Sequence, residues 1–267
     1  MSDSNSTTIL ERNDSRTATA AQKVFVVLPA YNEQDSLPPL LDAVRDALEP
    51  AGIPYSVIVV DDGSCDATAL AASQASFHMP VELVEHGVNR GLAAAIRTGL
   101  TAAVARSGPN DVIVTMDADN THPPRLIPGM LERLRDGNDV VIASRFQPGA
   151  VVHGVPQSRL LYSIGARWMF QLLLPIRGVR DYTCGYRAYR ADTLRQALDV
   201  YGDQLITETG FSCMADLLLK LRRLPLRMAE VPLELHYDRS GSGSKMRVLR
   251  TIRQTLLLVL RRRLEIR

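Results

Sequence analysis

Asp117-Ala118-Asp119 follows the apolar run Val112-Ile113-Val114, and a D-x-D at a strand end sets two carboxylates where both can reach one hard divalent cation. Such a cation usually recruits a diphosphate, whose charge Mg²⁺ or Mn²⁺ neutralises as a sugar–phosphate bond breaks. A D-x-D alone is as readily a solvated turn closed by an Asx hydrogen bond. A second acid pair, Asp61-Asp62, follows another apolar run and makes the metal reading more specific. With Gly63 and Ser64 the same segment also reads as a turn into a helix capped by Ser64 or Asp66. Pro29, Tyr31 and Glu33 follow a third run, and Ser144-Arg145 a fourth.

Positioning these groups requires strands at about 24–28, 55–60, 81–84, 112–114 and 139–143, with helices opening at Ser36 and covering about 66–76, 90–106 and 124–136. The strands are apolar without alternation, so both faces are buried and helices join them. The expected fold is α/β, a doubly wound, mostly parallel sheet. Ligands of such sheets bind beyond the carboxyl ends of the strands, where the polar residues cluster. After Arg145 the alternation weakens. A loop at 147–157, a helix at 159–174, an irregular stretch at 181–187, a helix at 209–223 and a strand at 227–235 are expected. A Ser/Gly loop at 240–244 then precedes a last helix from Met246.

In order and spacing, Pro29-Ala30-Tyr31-Asn32-Glu33, Val60-Asp61-Asp62-Gly63-Ser64, Asn89-Arg90-Gly91-Leu92, Met116 to Pro124 and Ser144-Arg145-Phe146 resemble the family 2 glycosyltransferases of GT-A fold. Within them the chain is most similar to the dolichol-phosphate (polyprenyl-phosphate) mannose synthases, over about residues 24 to 250. The resemblance implies that Pro29, Tyr31, Glu33, Val60, Asp62, Asp117 and Ala118 hold the nucleotide, and that Asp117, Asp119 and Thr121 hold Mg²⁺ or Mn²⁺. Thr121 stands where the family commonly has Gln, a longer and stronger ligand, so water is expected to complete that part of the shell. It further implies that Arg145, Arg159, Ser163 and Lys245 bind the acceptor phosphate, with Asp119 and Arg145 the catalytic pair. Asp181, Thr183, Gly185, Tyr186 and Arg187 are implied as acceptor-side scaffold, and Arg239 lies across the Ser/Gly loop from Lys245.

Arg159 and Ser163 are four apart and share a helix face, so guanidinium and hydroxyl can meet one anion. A sugar hydroxyl as acceptor would need a general base. The second half offers Glu208 and, further on, Asp216, but no adjacent acid pair. A phosphomonoester, with a second pKa of about 6, is already nucleophilic and needs cations instead. That favours a phosphate acceptor, and the resemblance then implies inverting transfer of a hexose, mannose from GDP-mannose before a UDP-hexose, to a polyprenyl phosphate. The alternatives are a soluble transferase to a small-molecule or glycan hydroxyl with Glu208 as base, and a non-enzymatic nucleotide-sugar-binding or scaffold protein.

The chain has 267 residues with Lys+Arg 31, Asp+Glu 29 and a net charge of +2, too balanced for a surface that coats nucleic acid. Residues 236–267 hold nine Lys or Arg against Asp238 and Glu265, a net of +7. Met246, Leu249, Ile252, Leu256, Val259/Leu260 and Leu264 recur at helical spacing beside Arg247, Arg250 and Arg253, and Arg261-Arg262-Arg263 closes the helix. Core packing and an interfacial helix on an anionic leaflet are equally open. No run is long enough to span a bilayer, which favours a peripheral protein on the cytoplasmic face and a membrane-embedded partner subunit. Three scattered cysteines fit a reducing compartment. The expected organisation is a disordered tail (1–22), a GT-A domain (23–236; nucleotide half 23–145, acceptor half 146–236), and a mobile loop with an amphipathic basic helix (237–267).

Overall fold

The computed structural model describes residues 22–237 and 248–264. The chain runs β1 (Val24–Ala30), α1 (Leu37–Leu48), β2 (Tyr55–Asp61), α2 (Thr68–Ala75), β3 (Val81–Glu85), α3 (Leu92–Arg106), β4 (Val112–Thr115), α4 (Ile127–Arg135) and β5 (Val140–Ser144). It continues through β6 (Val151–His153), α5 (Gln157–Leu173), β7 (Arg187–Arg190), α6 (Ala191–Tyr201), α7 (Cys213–Leu221), β8 (Met228–Pro232), β9 (Glu234–His236) and α8 (Val248–Leu264). Seven strands form one sheet in the order β3-β2-β1-β4-β7-β5-β8, parallel except for β7, and β6 pairs with β9 in a small parallel ribbon.

The five strands expected before Arg145 are all present, the sixth, at 227–235, is divided into β8 and β9, and β1, β4 and β5 are buried nearly throughout because helices cover both faces. α1 carries its prolines in the first turn, where no N–H is needed. α3 lies so close to the sheet that a Cβ on Gly99 would come 2.3 Å from Val27 Cγ1 and 3.2 Å from Val60 Cγ2. Val60, expected among the nucleotide ligands, is thus a fully buried core residue beneath α3 and does not reach the cavity described below.

The sequence gives no warning of β7 and α6. Arg-Ala-Tyr-Arg reads as polar, yet Arg187 is fully buried because its guanidinium donates to the carbonyls of Met214 (2.7 Å) and Tyr182 (2.8 Å). β7 thereby enters between β4 and β5, so these two strands of the first half are not neighbours. β6 forms inside the expected loop.

Gly63, in the turn after β2, has φ +72°, and a Cβ there would lie 2.4 Å from the Val88 carbonyl carbon. Both obstacles are backbone, so neither yields cheaply. Gly63→Ala is expected to cost about 2 kcal/mol or more, read as a lower urea midpoint at unchanged slope.

α8 packs against α5, where the Tyr162 and Thr255 hydroxyls bond at 2.9 Å. Its inward face is Thr251, Thr255, Leu258, Val259 and Arg262. Arg262 reaches the fully buried Asp216 of α7 at 2.6 Å, and Lys220 Nζ meets the same carboxylate at 3.1 Å. Burial would raise the Asp216 carboxyl, but hydrogen bonding by Thr207 and the two cations hold it below its usual range. Leu256, Leu260 and Leu264 of the expected stripe are exposed. Among the described residues no helix is long and apolar enough to cross a membrane.

Candidate active site

The carboxyl ends of β1, β2, β4 and β5 open into a cavity of about 870 Å³. Pro29, Tyr31, Glu33, Asp62, Asp117, Ala118, Asp119, Thr121, Arg145 and Ser163 all line it. Arg159 stands on α5 with its side chain outside what is described, and Lys245 and Arg239 lie outside the described residues.

The loop after β1 is stapled to the loop after β2. Asn32, at φ +51°, donates its N–H to Ser64 Oγ (2.9 Å) and accepts the Cys65 N–H on its side-chain Oδ1 (2.8 Å). The Glu33 N–H donates to Thr68 Oγ1 at 2.8 Å. Asp62 is 3% exposed, and its carboxylate is largely taken up by the protein. Oδ1 accepts from His86 Nδ1 (2.7 Å) and the Arg90 N–H (2.9 Å), and Oδ2 from the Gly91 N–H (2.8 Å). Asp62 therefore shapes the Asn89–Gly91 rim as well as lining the cavity. His86, braced on Thr98 Oγ1 at 2.9 Å, is a functional neighbour that a single histidine in sequence does not announce.

Asp117 and Asp119 sit just past β4 in a turn made by Asn120 at φ +60°. Asp119 Oδ1 accepts from the Thr121 N–H (3.1 Å) and hydroxyl (2.7 Å), while Oδ2 has no donor among the described residues. Thr121 thus orients Asp119 with the hydroxyl that was expected to ligate. Gly185 admits the Asp117 carboxylate: a Cβ there would lie 3.3 Å from Oδ1. Burial raises the Asp117 carboxyl above its usual range; His122 works against this, Asp119 and Glu33 add to it, and Arg145 opposes it. The Asp117 and Asp119 carboxylates, with Asp119 Oδ2 uncommitted among the described residues, are a hard donor set that fits a divalent cation.

Arg145 closes the other side. Its Nε and Nη2 fork onto Asp181 Oδ2 (2.7 Å) and Oδ1 (2.6 Å), Nη1 donates to Ser163 Oγ (3.0 Å), and Nη2 also reaches Thr183 Oγ1 (2.6 Å). Asp181 is fully buried, which would raise its carboxyl, but Arg145 holds it below the usual range. Glu230 of β8, absent from the sequence candidates, accepts the N–H groups of Arg180 and Asp181 at 2.6 Å each and so fixes the partner of Arg145. Thr209, Gly210, Thr251 and Gln254 also line the cavity, bringing α8 into the site.

Residues 25–198 match the family described as Glycosyl transferase family 2. A dolichol-phosphate mannosyltransferase of Pyrococcus furiosus is 36% identical over 199 residues, 74% of this chain; the match covers 53% of that relative, so the chain spans about half its length. An undecaprenyl-phosphate mannosyltransferase of Micrococcus luteus is 36% identical over 230 residues, 84% of this chain and 87% of the relative. A crystal structure of glucosyl-3-phosphoglycerate synthase from Mycobacterium tuberculosis, with Mn²⁺, UDP-glucose and phosphoglyceric acid, has a TM-score of 0.64 at 22% identity, covering 91% of this chain and 80% of that one. The fold is therefore GT-A. Motifs expected at the strand ends, gathered around one cavity in a chain matched over most of its length, make this protein a glycosyltransferase belonging to glycosyl transferase family 2.

Proposed function

We propose that the enzyme transfers a hexose, mannose from GDP-mannose first, to the phosphate of a polyprenyl phosphate with inversion at the anomeric carbon. The observation that carries this reading is the path out of the cavity. Leu160 of α5 lines the cavity and is also exposed, and nine of the fourteen large exposed apolar side chains among the described residues lie on the packed pair α5 and α8. These include Leu161, Trp168 and Leu172 on one helix and Leu256, Leu260 and Leu264 on the other. Exposed apolar side chains gathered on the two helices beside the cavity suit a lipid acceptor.

Asp117 and Asp119 would hold Mg²⁺ or Mn²⁺, which when bound offsets the charge of the departing nucleoside diphosphate. Pro29, Tyr31, Glu33 and the Asp62-held rim frame the nucleotide. The charge of Arg145 is balanced by Asp181 and most of its N–H groups are engaged by Asp181, Ser163 and Thr183, so with these residues it forms a rigid floor and keeps one Nη1 hydrogen for the substrate. Arg159 and Lys245 supply the net positive charge that draws the acceptor phosphate. Neither acid that could serve a hydroxyl acceptor is available as a base. Glu208 does not line the cavity and pairs with Arg261 at 2.6 Å, and Asp216 is committed to Arg262 and Lys220.

Purified protein is incubated with radiolabelled GDP-mannose or UDP-glucose and polyprenyl phosphate. Label is expected in the organic phase from GDP-mannose; a water-soluble product alone would sink the lipid acceptor, and UDP-glucose as the better donor would replace the sugar. The exposed faces of α5 and α8, with Arg253, Arg261 and Arg263, are proposed to rest on an anionic leaflet. Trp168→Ala with Leu172→Ala is expected to weaken co-sedimentation with phosphatidylglycerol vesicles about tenfold, at roughly 1.5 kcal/mol or less per side chain. Undiminished binding removes α5 from the contact.

A further inference from the structure

Part of the cavity wall is the ribbon of β6 and β9, in which Val151, Val152 and His153 pair with Glu234, Leu235 and His236. Side chains alternate across a ribbon, so Val152 and Leu235, which line the cavity, put His153, Glu234 and His236 together on the other face. The two imidazoles stack with centroids 5.0 Å apart and planes at 14°. His236 Nε2 lies 2.7 Å from Glu234 Oε1. One ligating atom from each of the three residues falls within 4.8 Å of the other two.

Arg125 pairs with the other Glu234 oxygen, Oε2, which turns Oε1 toward the histidines. The Arg125 guanidinium is more than half exposed, and water screens its repulsion of a cation. Two imidazoles and a carboxylate, with the exposed His153 leaving a fourth position open to water, are a donor set for a borderline cation and a poor one for Mg²⁺.

We propose that His153, Glu234 and His236 form a second cation site, separate from the Asp117–Asp119 pair, which takes Zn²⁺ or a cation of similar preference and clamps β6 to β9. The clamp bears on the transferase site through the backbone. The His236 N–H donates to the Thr121 carbonyl at 3.1 Å, and Thr121 orients Asp119. A cation on the outer face therefore stiffens both the cavity wall and the turn that carries Asp119. The site stands on the ribbon geometry alone and holds whichever acceptor the enzyme uses.

The full chain and its Asp117→Ala/Asp119→Ala variant are titrated calorimetrically with Zn²⁺ in millimolar Mg²⁺ at neutral pH, and by visible absorption with Co²⁺. Both should bind one Zn²⁺ at this site and show a four-coordinate Co²⁺ band. His153→Ala, a change at an exposed position, should weaken Zn²⁺ about tenfold or more and lose the band. Its unfolding midpoint in EDTA should match that of the parent, and only the parent midpoint should rise with Zn²⁺. Equal affinity in His153→Ala, no binding by the parent, or binding that disappears with the aspartate pair alone overturns the proposal.

Discussion

Asp119→Ala is expected to lower kcat by about a thousandfold or more while leaving the circular dichroism spectrum and unfolding midpoint close to those of the parent. The two effects separate because Asp119 is half-buried at the cavity edge and its bonds within the protein are to its neighbour Thr121, so its loss leaves no buried group stranded. A dication opposite a departing diphosphate supplies several kcal/mol, and about 4 kcal/mol corresponds to a thousandfold. Excess Mn²⁺ should not rescue the variant, since Asp117 alone offers too few donors. Turnover within tenfold of the parent would take the cation away from this pair. The intact fold is the control that makes the loss chemical.

Arg145→Ala should behave differently, losing both activity and stability. Its fork is the principal partner of a fully buried carboxylate, and removing one member of such a pair costs roughly 3–5 kcal/mol because the other stays behind as an uncompensated charge. Arg145→Lys keeps the charge and loses the fork, and should fall between. Adding Asp181→Asn to Arg145→Ala should restore much of the stability and none of the activity, a separation that a purely structural role for Arg145 would not produce. The pH dependence has a definite sign. The Asp181 carboxyl lies below its unfolded value, so its contribution is complete above about pH 4 and is lost as pH falls through the depressed folded value. The double variant should be flatter than the parent in this acid range.

The convergence of the polar motifs on one cavity was legible because each follows an apolar run long enough to be a buried strand, and strand ends of a parallel sheet converge. The second half of the chain was less so. Arg187 carries a charge at the start of a central strand, which hydropathy cannot read, and only its two carbonyl partners explain it. The partner of Arg145 lies 36 residues away and the residue that fixes that partner is a further 49 along, so no local spacing reveals Glu230. Val60, implied by the resemblance alone, packs its side chain under α3, which its place beside the acid pair in sequence does not show. The last helix was left between core and membrane, and it divides its arginines, with Arg262 turned inward and Arg253, Arg261 and Arg263 outward.

The insertion of β7 between β4 and β5 also sets an order of events at the ribosome. The N-terminal strands β1 to β4 can pair as they emerge, yet the far flank of β4 must wait for residues 187–190, and β5 has no neighbour on either side until β7 and β8 arrive. For the time needed to synthesise that stretch, the nascent chain carries two apolar strands with bare hydrogen-bonding edges. Slower translation before residue 190 should increase misassembly, and a holdase chaperone should matter most in that window.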